Sequence, residues 1–163
     1  GLIALLTYAN HVFGKQIKDK IIKSRVDFDS NEELYSQIKE FDPDVIGIST
    51  MTFHKDFFHR TVSSIRENGF NNMIVVGGPY PTTSYEEVMK DKNIDVCVLG
   101  EGEATFAEIL KKIIKSRKKI LNINDLEKIN GIAFSKKTMN LREKFDLPLI
   151  SSSQNIRKNT FQL

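Results

Sequence analysis

Three short segments carry residue types able to hold a ligand. They read Ser49-Thr50-Met51-Thr52, Gly77-Gly78-Pro79-Tyr80-Pro81-Thr82 and Gly100-Glu101-Gly102-Glu103, and each directly follows an apolar run. Consecutive glycines strip the backbone of side chains, so a ligand can lie against it or the chain can take a positive φ. Pro79 and Pro81 then stiffen the exit. Taken singly, Gly77-Gly78-Pro79 reads first as a tight turn. Ser49 and Thr50 are either donors to a ligand or residues that satisfy loop amides and cap the next helix. Gly100 to Glu103 superficially resembles a dinucleotide fingerprint, but Thr105 stands where that pattern needs its last glycine. Its acidic residues would also repel a pyrophosphate. Glu101 and Glu103 suit the start of a helix through its dipole, with contact to a ligand or partner as the second reading.

The remaining reactive side chains are scattered. His54 reads as a surface histidine near a helix start, with metal ligation or donation to a ligand as the alternative; His11 and His59 are weaker candidates. Cys97 lies inside an apolar strand and reads as a small core residue. As the single cysteine of the chain, it excludes an intramolecular disulfide, a four-cysteine zinc site and a three-cysteine iron–sulfur motif within these residues. Lys111, Lys112, Lys115, Arg117, Lys118 and Lys119 fall at the end of a helix, where cations suit the dipole; phosphate binding is the alternative. No Ser/His/Asp grouping, carboxylate pair, phosphate loop or metal-ligand cluster emerges, so the chain reads as a binder.

The elements that must position these loops follow from periodicity. Residues 1–13 read as a helix, with a buried strand over Leu2 to Tyr8 as the alternative, and Ile17 to Phe28 as a strand near a sheet edge. Ser30 to Glu33 is a capping box, and Leu34, Ile38 and Phe41 continue it at helical spacing until Pro43 closes the helix. Val45 to Ile48, Met73 to Val76 and Ile94 to Leu99 are continuous apolar runs, as expected of strands covered on both faces. Between them lie a helix over 55–68 stopped by Gly69, and a short helix opened by a second box at Ser84 to Glu87. A third box, Thr105 to Glu108, opens a longer helix with the stripe Phe106, Ile109, Leu110, Ile113 and Ile114. Strand then helix, three times over, predicts an α/β domain with a doubly wound parallel sheet and helices on both faces. In such a sheet the ligand crevice lies outside the carboxyl ends of the strands, where all three loops fall. One further strand is expected over Ile129 to Phe134, and 135–163 reads as a linker or the start of a following domain.

Composition fits this picture. The 163 residues are 40% apolar and 28% charged, enough for one core. The 24 Lys and Arg against 21 Asp and Glu leave +3, a weak argument for nucleic acid, so none is expected as a partner. No apolar run approaches the roughly 20 residues of a membrane span. With no leader pattern and a first residue other than Met, the chain reads as a soluble, cytoplasmic excerpt of a longer protein.

Taken together, Pro43 to Ser49, Val75 to Thr82 and Asp95 to Glu103 resemble, in order and spacing, the cobalamin-binding domain that precedes the catalytic domain of B12-dependent radical SAM enzymes. The similarity spans about 1–134, with Asn130 to Phe134 matching the strand that leads out of that domain. The resemblance implies a flavodoxin-like three-layer sandwich carrying cobalamin (vitamin B12), its nucleotide tail threaded beside the strand that ends at Gly77-Gly78. Ser49, Thr50 and Met51 would face the tail, Ser49 and Met51 looking like the Ser-x-Leu motif of methionine synthase-type domains with Met for Leu. Gly77, Gly78 and Pro79 would line it, and Gly100, Glu101, Gly102 and Glu103 would border it. The Asp-x-His-x-x-Gly motif that supplies a lower cobalt ligand in that type is absent here, as in many radical SAM relatives. The family's first strand should precede residue 1. The [4Fe–4S] cluster and S-adenosylmethionine site would belong to a downstream radical SAM domain, and the parent would be a methyltransferase or related enzyme. A receiver-like interaction domain sharing the fold without a corrinoid is the alternative function.

Overall fold

The computed structural model describes residues 1–143 and 158–162. Six strands form one sheet: β1 (Ile17–Ile21), β2 (Val45–Ser49), β3 (Met73–Gly77), β4 (Val96–Val98), β5 (Ile132–Ala133) and β6 (Lys158–Gln162). Their order is β1-β6-β2-β3-β4-β5, with every neighbouring pair parallel except β4–β5. The sheet is therefore mixed, not purely parallel. The chain folds as an α/β sandwich with helices on both faces.

Pleating explains the two layers. Along a strand successive side chains point to opposite faces. Val45, Met73, Val75, Val96 and Val98 join one apolar cluster, covered by α1 (Leu2–Phe13) and α6 (Glu103–Ser116). Ile46, Ile48, Ile74, Val76 and Cys97 join the other, covered by α2 (Asn31–Phe41) and α3 (Lys55–Glu67). The central strands are thus apolar on both sides, which is why they read as continuous runs. Among the described residues there are four further short α-helices: α4 (Pro79–Thr83), α5 (Tyr85–Val88), α7 (Ile123–Leu126) and α8 (Lys136–Glu143).

Several expectations are sharpened or corrected. Residues 1–13 are helical, so Leu2 to Tyr8 is not a strand. The edge strand stops at Ile21, because Lys23 to Phe28 turns back on itself: the Lys23 amide donates to the Asp27 carboxylate at 2.6 Å and Arg25 takes φ 66°. Of the three capping boxes only the first caps. The Glu33 amide donates to Ser30 Oγ at 3.2 Å, while the Glu33 carboxylate accepts from the Asp29 amide at 2.8 Å. Ser84 ends α4, and its carbonyl, not its hydroxyl, accepts from Glu87 and Val88. Thr105 lies inside α6, which begins two residues earlier, and its hydroxyl donates to the Asn130 carbonyl at 3.4 Å. Of the stretch 135–163, expected as a linker or the start of a following domain, residues 144–157 and 163 lie outside the described residues; the described part holds α8 and β6, and β6 fills the slot between β1 and β2, whose facing edges both offer ladder hydrogen bonds.

At the amino end of the sheet a buried ion pair braces the crossovers. Arg66 of α3 donates to the carboxylate of Asp95 at 2.6 Å and to the carbonyls of Phe70, Asn72 and Asn93, while the Ile74 amide donates to the same Asp95 oxygen at 2.7 Å. Both side chains are buried. Among the described residues no helix is long and apolar enough to cross a membrane.

Candidate functional site

At the opposite, carboxyl end of the sheet the three loops singled out in the sequence converge. Backbone bonds tie the first two together: the Thr50 amide donates to the Gly77 carbonyl at 3.3 Å, and the Tyr80 amide to the Thr50 carbonyl at 3.2 Å. The third is tied on by the Gly100 amide, which donates to Thr82 Oγ1 at 3.1 Å. Between them lies a cavity of about 590 Å³, within the range of small-molecule sites.

Its position follows from the strand alternation. Val45 and Val75 face α1 and α6, so Gly47 and Gly77, two residues further along their strands, fall on that same side. Neither has a side chain to fill the space. Leu2 and Leu5 of α1, Val98 of β4 and Phe106 of α6 close the cavity from the remaining directions. Val75, Val98 and Phe106 are buried and apolar, whereas Ser49, Thr83 and Glu101 are exposed at the mouth. The site therefore grades from an apolar inner end to a polar rim. Two helices, α1 and α6, begin at that rim with their partial positive ends.

The glycines of the loops do different work. A Cβ at Gly78 would sit 2.6 Å from Ser49 Oγ and 3.2 Å from the Thr50 carbonyl oxygen, at φ +94°, so this residue is required for the two loops to approach. A Cβ at Gly77 would meet Val98 only at 3.7 to 3.8 Å, an ordinary contact. Gly77 leaves room, while Gly78 removes a clash. Pro79 opens α4, where a missing amide hydrogen is no loss.

Nine of the ten residues expected to bind a cofactor line this cavity: Ser49, Met51, Gly77, Gly78, Pro79, Gly100, Glu101, Gly102 and Glu103. Thr50 does not. It is buried behind the wall, where its backbone bonds to both Gly77 and Tyr80. The lining from α1, together with Gly47, Val75, Val98 and Phe106, was not read from the sequence; the alternation of β2, which puts Gly47 on the face of Val45, is the signal that would have found it.

Behind the Gly77 to Thr82 loop a polar chain runs to the surface. The hydroxyl of Tyr80, itself 1% exposed, lies 3.1 Å from His59 Nε2, and His59 Nδ1 lies 2.7 Å from an Asp91 carboxylate oxygen. With Nδ1–H donating to Asp91, Nε2 accepts from the tyrosine. Burial raises the Tyr80 phenol above its ordinary range, with Glu87, Asp56 and Asp91 adding to the effect. The histidine ranked below His54 in the sequence is thus the one built into the structure; His54 is exposed, against the Phe53 ring. Cys97 is buried and its thiol is pushed up to about 12 by burial, which makes it a core residue and a poor nucleophile. Among the described residues no group of three or more His, Cys, Asp or Glu could hold a metal ion.

The chain is similar to several known proteins. The B12 binding domain family matches residues 13–110. An uncharacterized methyltransferase of Pyrococcus horikoshii is 31% identical over 160 residues, covering 97% of this chain and 33% of that protein. An anaerobic magnesium-protoporphyrin IX monomethyl ester cyclase of Synechocystis is 37% identical over 91 residues, 55% of this chain and 17% of the cyclase. A cytidylyl-2-hydroxyethylphosphonate methyltransferase of Streptomyces wedmorensis is 29% identical over 124 residues, 76% of this chain and 22% of that enzyme. The chain thus spans a third or less of the length of these relatives. Among solved structures, the N-terminal domain of a hypothetical protein of Thermotoga maritima is similar with 26% identity and a TM-score of 0.46, over 73% of this chain and 87% of that one. With the family match extending over more than half of its residues, this chain is a member of the B12 binding domain family.

Proposed function

We propose that this chain is the cobalamin-binding module of a B12-dependent radical SAM methyltransferase, holding the corrinoid for a catalytic domain that follows it. The observation that carries the reading is the cavity at the carboxyl ends of β2, β3 and β4, apolar within and polar at the rim, opened by Gly47 and Gly77 on the α1/α6 side. That shape fits the nucleotide tail of cobalamin, a flat apolar base on a polar ribose phosphate. Ser49, Met51, Gly77, Gly78 and Pro79 lie along the tail, and Gly100, Glu101, Gly102 and Glu103 border it. Thr50 holds the first loop against the second and so fixes the wall. When bound, cobalamin supplies a cobalt centre able to carry a methyl group; the protein contributes binding, orientation and the exclusion of water.

The iron–sulfur cluster and S-adenosylmethionine need cysteines this chain does not contain, and the far greater length of the relatives leaves room for such a domain.

The test adds hydroxocobalamin to the folded protein and records the visible spectrum after gel filtration. Co-elution of the corrinoid, with the spectrum of a cobalt whose benzimidazole has left it, is the expected result. Absence of corrinoid from the protein peak overturns the proposal.

A further inference from the structure

We infer that the inner end of the cavity selects corrinoids by the chemistry of the lower base, and that Gly102 sets its depth. The inference rests on the cobalamin reading above and adds to it a specificity that the family assignment does not contain.

Among the described residues lining the cavity, five have side chains that hydrogen bond readily: Ser49, Thr82, Thr83, Glu101 and Glu103. None is buried. Two are already engaged, Thr82 Oγ1 accepting from the Gly100 amide and Thr83 Oγ1 donating to the Pro79 carbonyl at 2.9 Å. Deeper in, the wall is Val75, Val98, Phe106 and Leu5, and the amides of β2 and β3 are committed to the sheet. A dimethylbenzimidazole, with apolar edges, loses nothing there. An adenine carries an amino group and ring nitrogens into the same space without partners, and a polar group buried unpaired costs enough to lower affinity roughly tenfold.

Gly102 stands where α1 and β4 approach each other. A Cβ there would meet Leu5 Cδ1 at 3.4 Å and Val98 Cγ1 at 3.5 Å, within the lining, and its φ of −90° is open to any residue. A side chain at 102 therefore shortens the cavity without straining the backbone.

The experiment titrates the full chain with three probes: hydroxocobalamin, its adenine-base analogue, and diaquocobinamide, which has no nucleotide tail. For the wild-type protein the expected order is cobalamin, then the adenine analogue about tenfold weaker, then cobinamide. In Gly102→Val the cobalamin-to-cobinamide affinity ratio falls at least tenfold. Gly102→Ala, which adds only the Cβ, lowers it about two- to threefold with an unchanged thermal midpoint, so loss of fold is separated from loss of depth. Equal affinity of the wild-type protein for the two bases, or an unchanged ratio in both variants, overturns the inference and leaves the cobalamin reading standing. Failure of all three probes to bind the wild-type protein removes both.

Discussion

Exchanging each of the two adjacent glycines for alanine separates the fold from the site. Gly78 has φ +94° and ψ −173°, a region essentially reserved for glycine, where another residue costs about 1–3 kcal/mol. Its new Cβ would lie 2.6 Å from Ser49 Oγ and 3.2 to 3.3 Å from the Thr50 backbone, and crowding of this kind adds a further cost of about 1–3 kcal/mol. Gly78→Ala is therefore destabilising by about 3 kcal/mol, a fall in Tm of roughly 6–12 °C for a domain of this size. Gly77→Ala meets only ordinary contacts, so its Tm stays within about 2 °C of wild type, while its methyl group enters the cavity and weakens hydroxocobalamin binding. Removing the hydroxyl that Gly78→Ala meets, in the double variant Ser49→Ala/Gly78→Ala, recovers about 1 kcal/mol beyond additivity. Thermal unfolding followed by circular dichroism, with a corrinoid titration of each variant, measures all of this. A Gly78→Ala protein as stable as wild type would refute the close approach of the two loops and the account of the glycine pair.

Other outcomes follow from features away from the cavity. Asp95→Ala leaves Arg66 charged and buried without its carboxylate, costing about 3–5 kcal/mol; a Tm drop under 5 °C would contradict the brace, and hydroxocobalamin affinity at 10 °C stays unchanged because the pair lies at the far end of the sheet. Tyr80→Phe keeps the buried ring and loses the contact with His59, so it costs about 1 kcal/mol, or roughly 2–4 °C, in thermal unfolding. Burial holds the Cys97 thiol protonated up to about 12, against 9.0 when unfolded. Stability linked to this group is complete below pH 9 and is lost as pH rises from 9 toward 12; Cys97→Ala flattens that decline in Tm measured between pH 8 and 11. At pH 8 the native thiol resists a disulfide reagent and reacts once urea unfolds the protein.

Much of this fold was legible because local chemistry and tertiary position agree. Val45 to Ile48 and Met73 to Val76 are apolar at every position since both faces of these strands are covered, and the loops that follow them line the cavity. What escaped depends on partners distant in sequence. Leu5 joins the site through the packing of α1 on α6, roughly a hundred residues away, and no local pattern encodes that. His59 takes its role from Tyr80 and Asp91, 21 and 32 residues on. The box-like Ser84 and Thr105 failed as caps because the preceding α4 and an earlier helix start had already claimed those turns. Lys158–Gln162 shows no alternation, so its strand is defined by the edges it fills, and not by its own residues.

The cross-ties among Thr50, Gly77, Tyr80, Thr82 and Gly100 have an entropic corollary. Two of the ties are main-chain bonds and the third joins the Gly100 amide to the Thr82 hydroxyl, so the three loops are fixed to one another and none hangs free as a flap. Entry of a guest then costs little ordering of the rim, because its loops are already held in place before anything arrives.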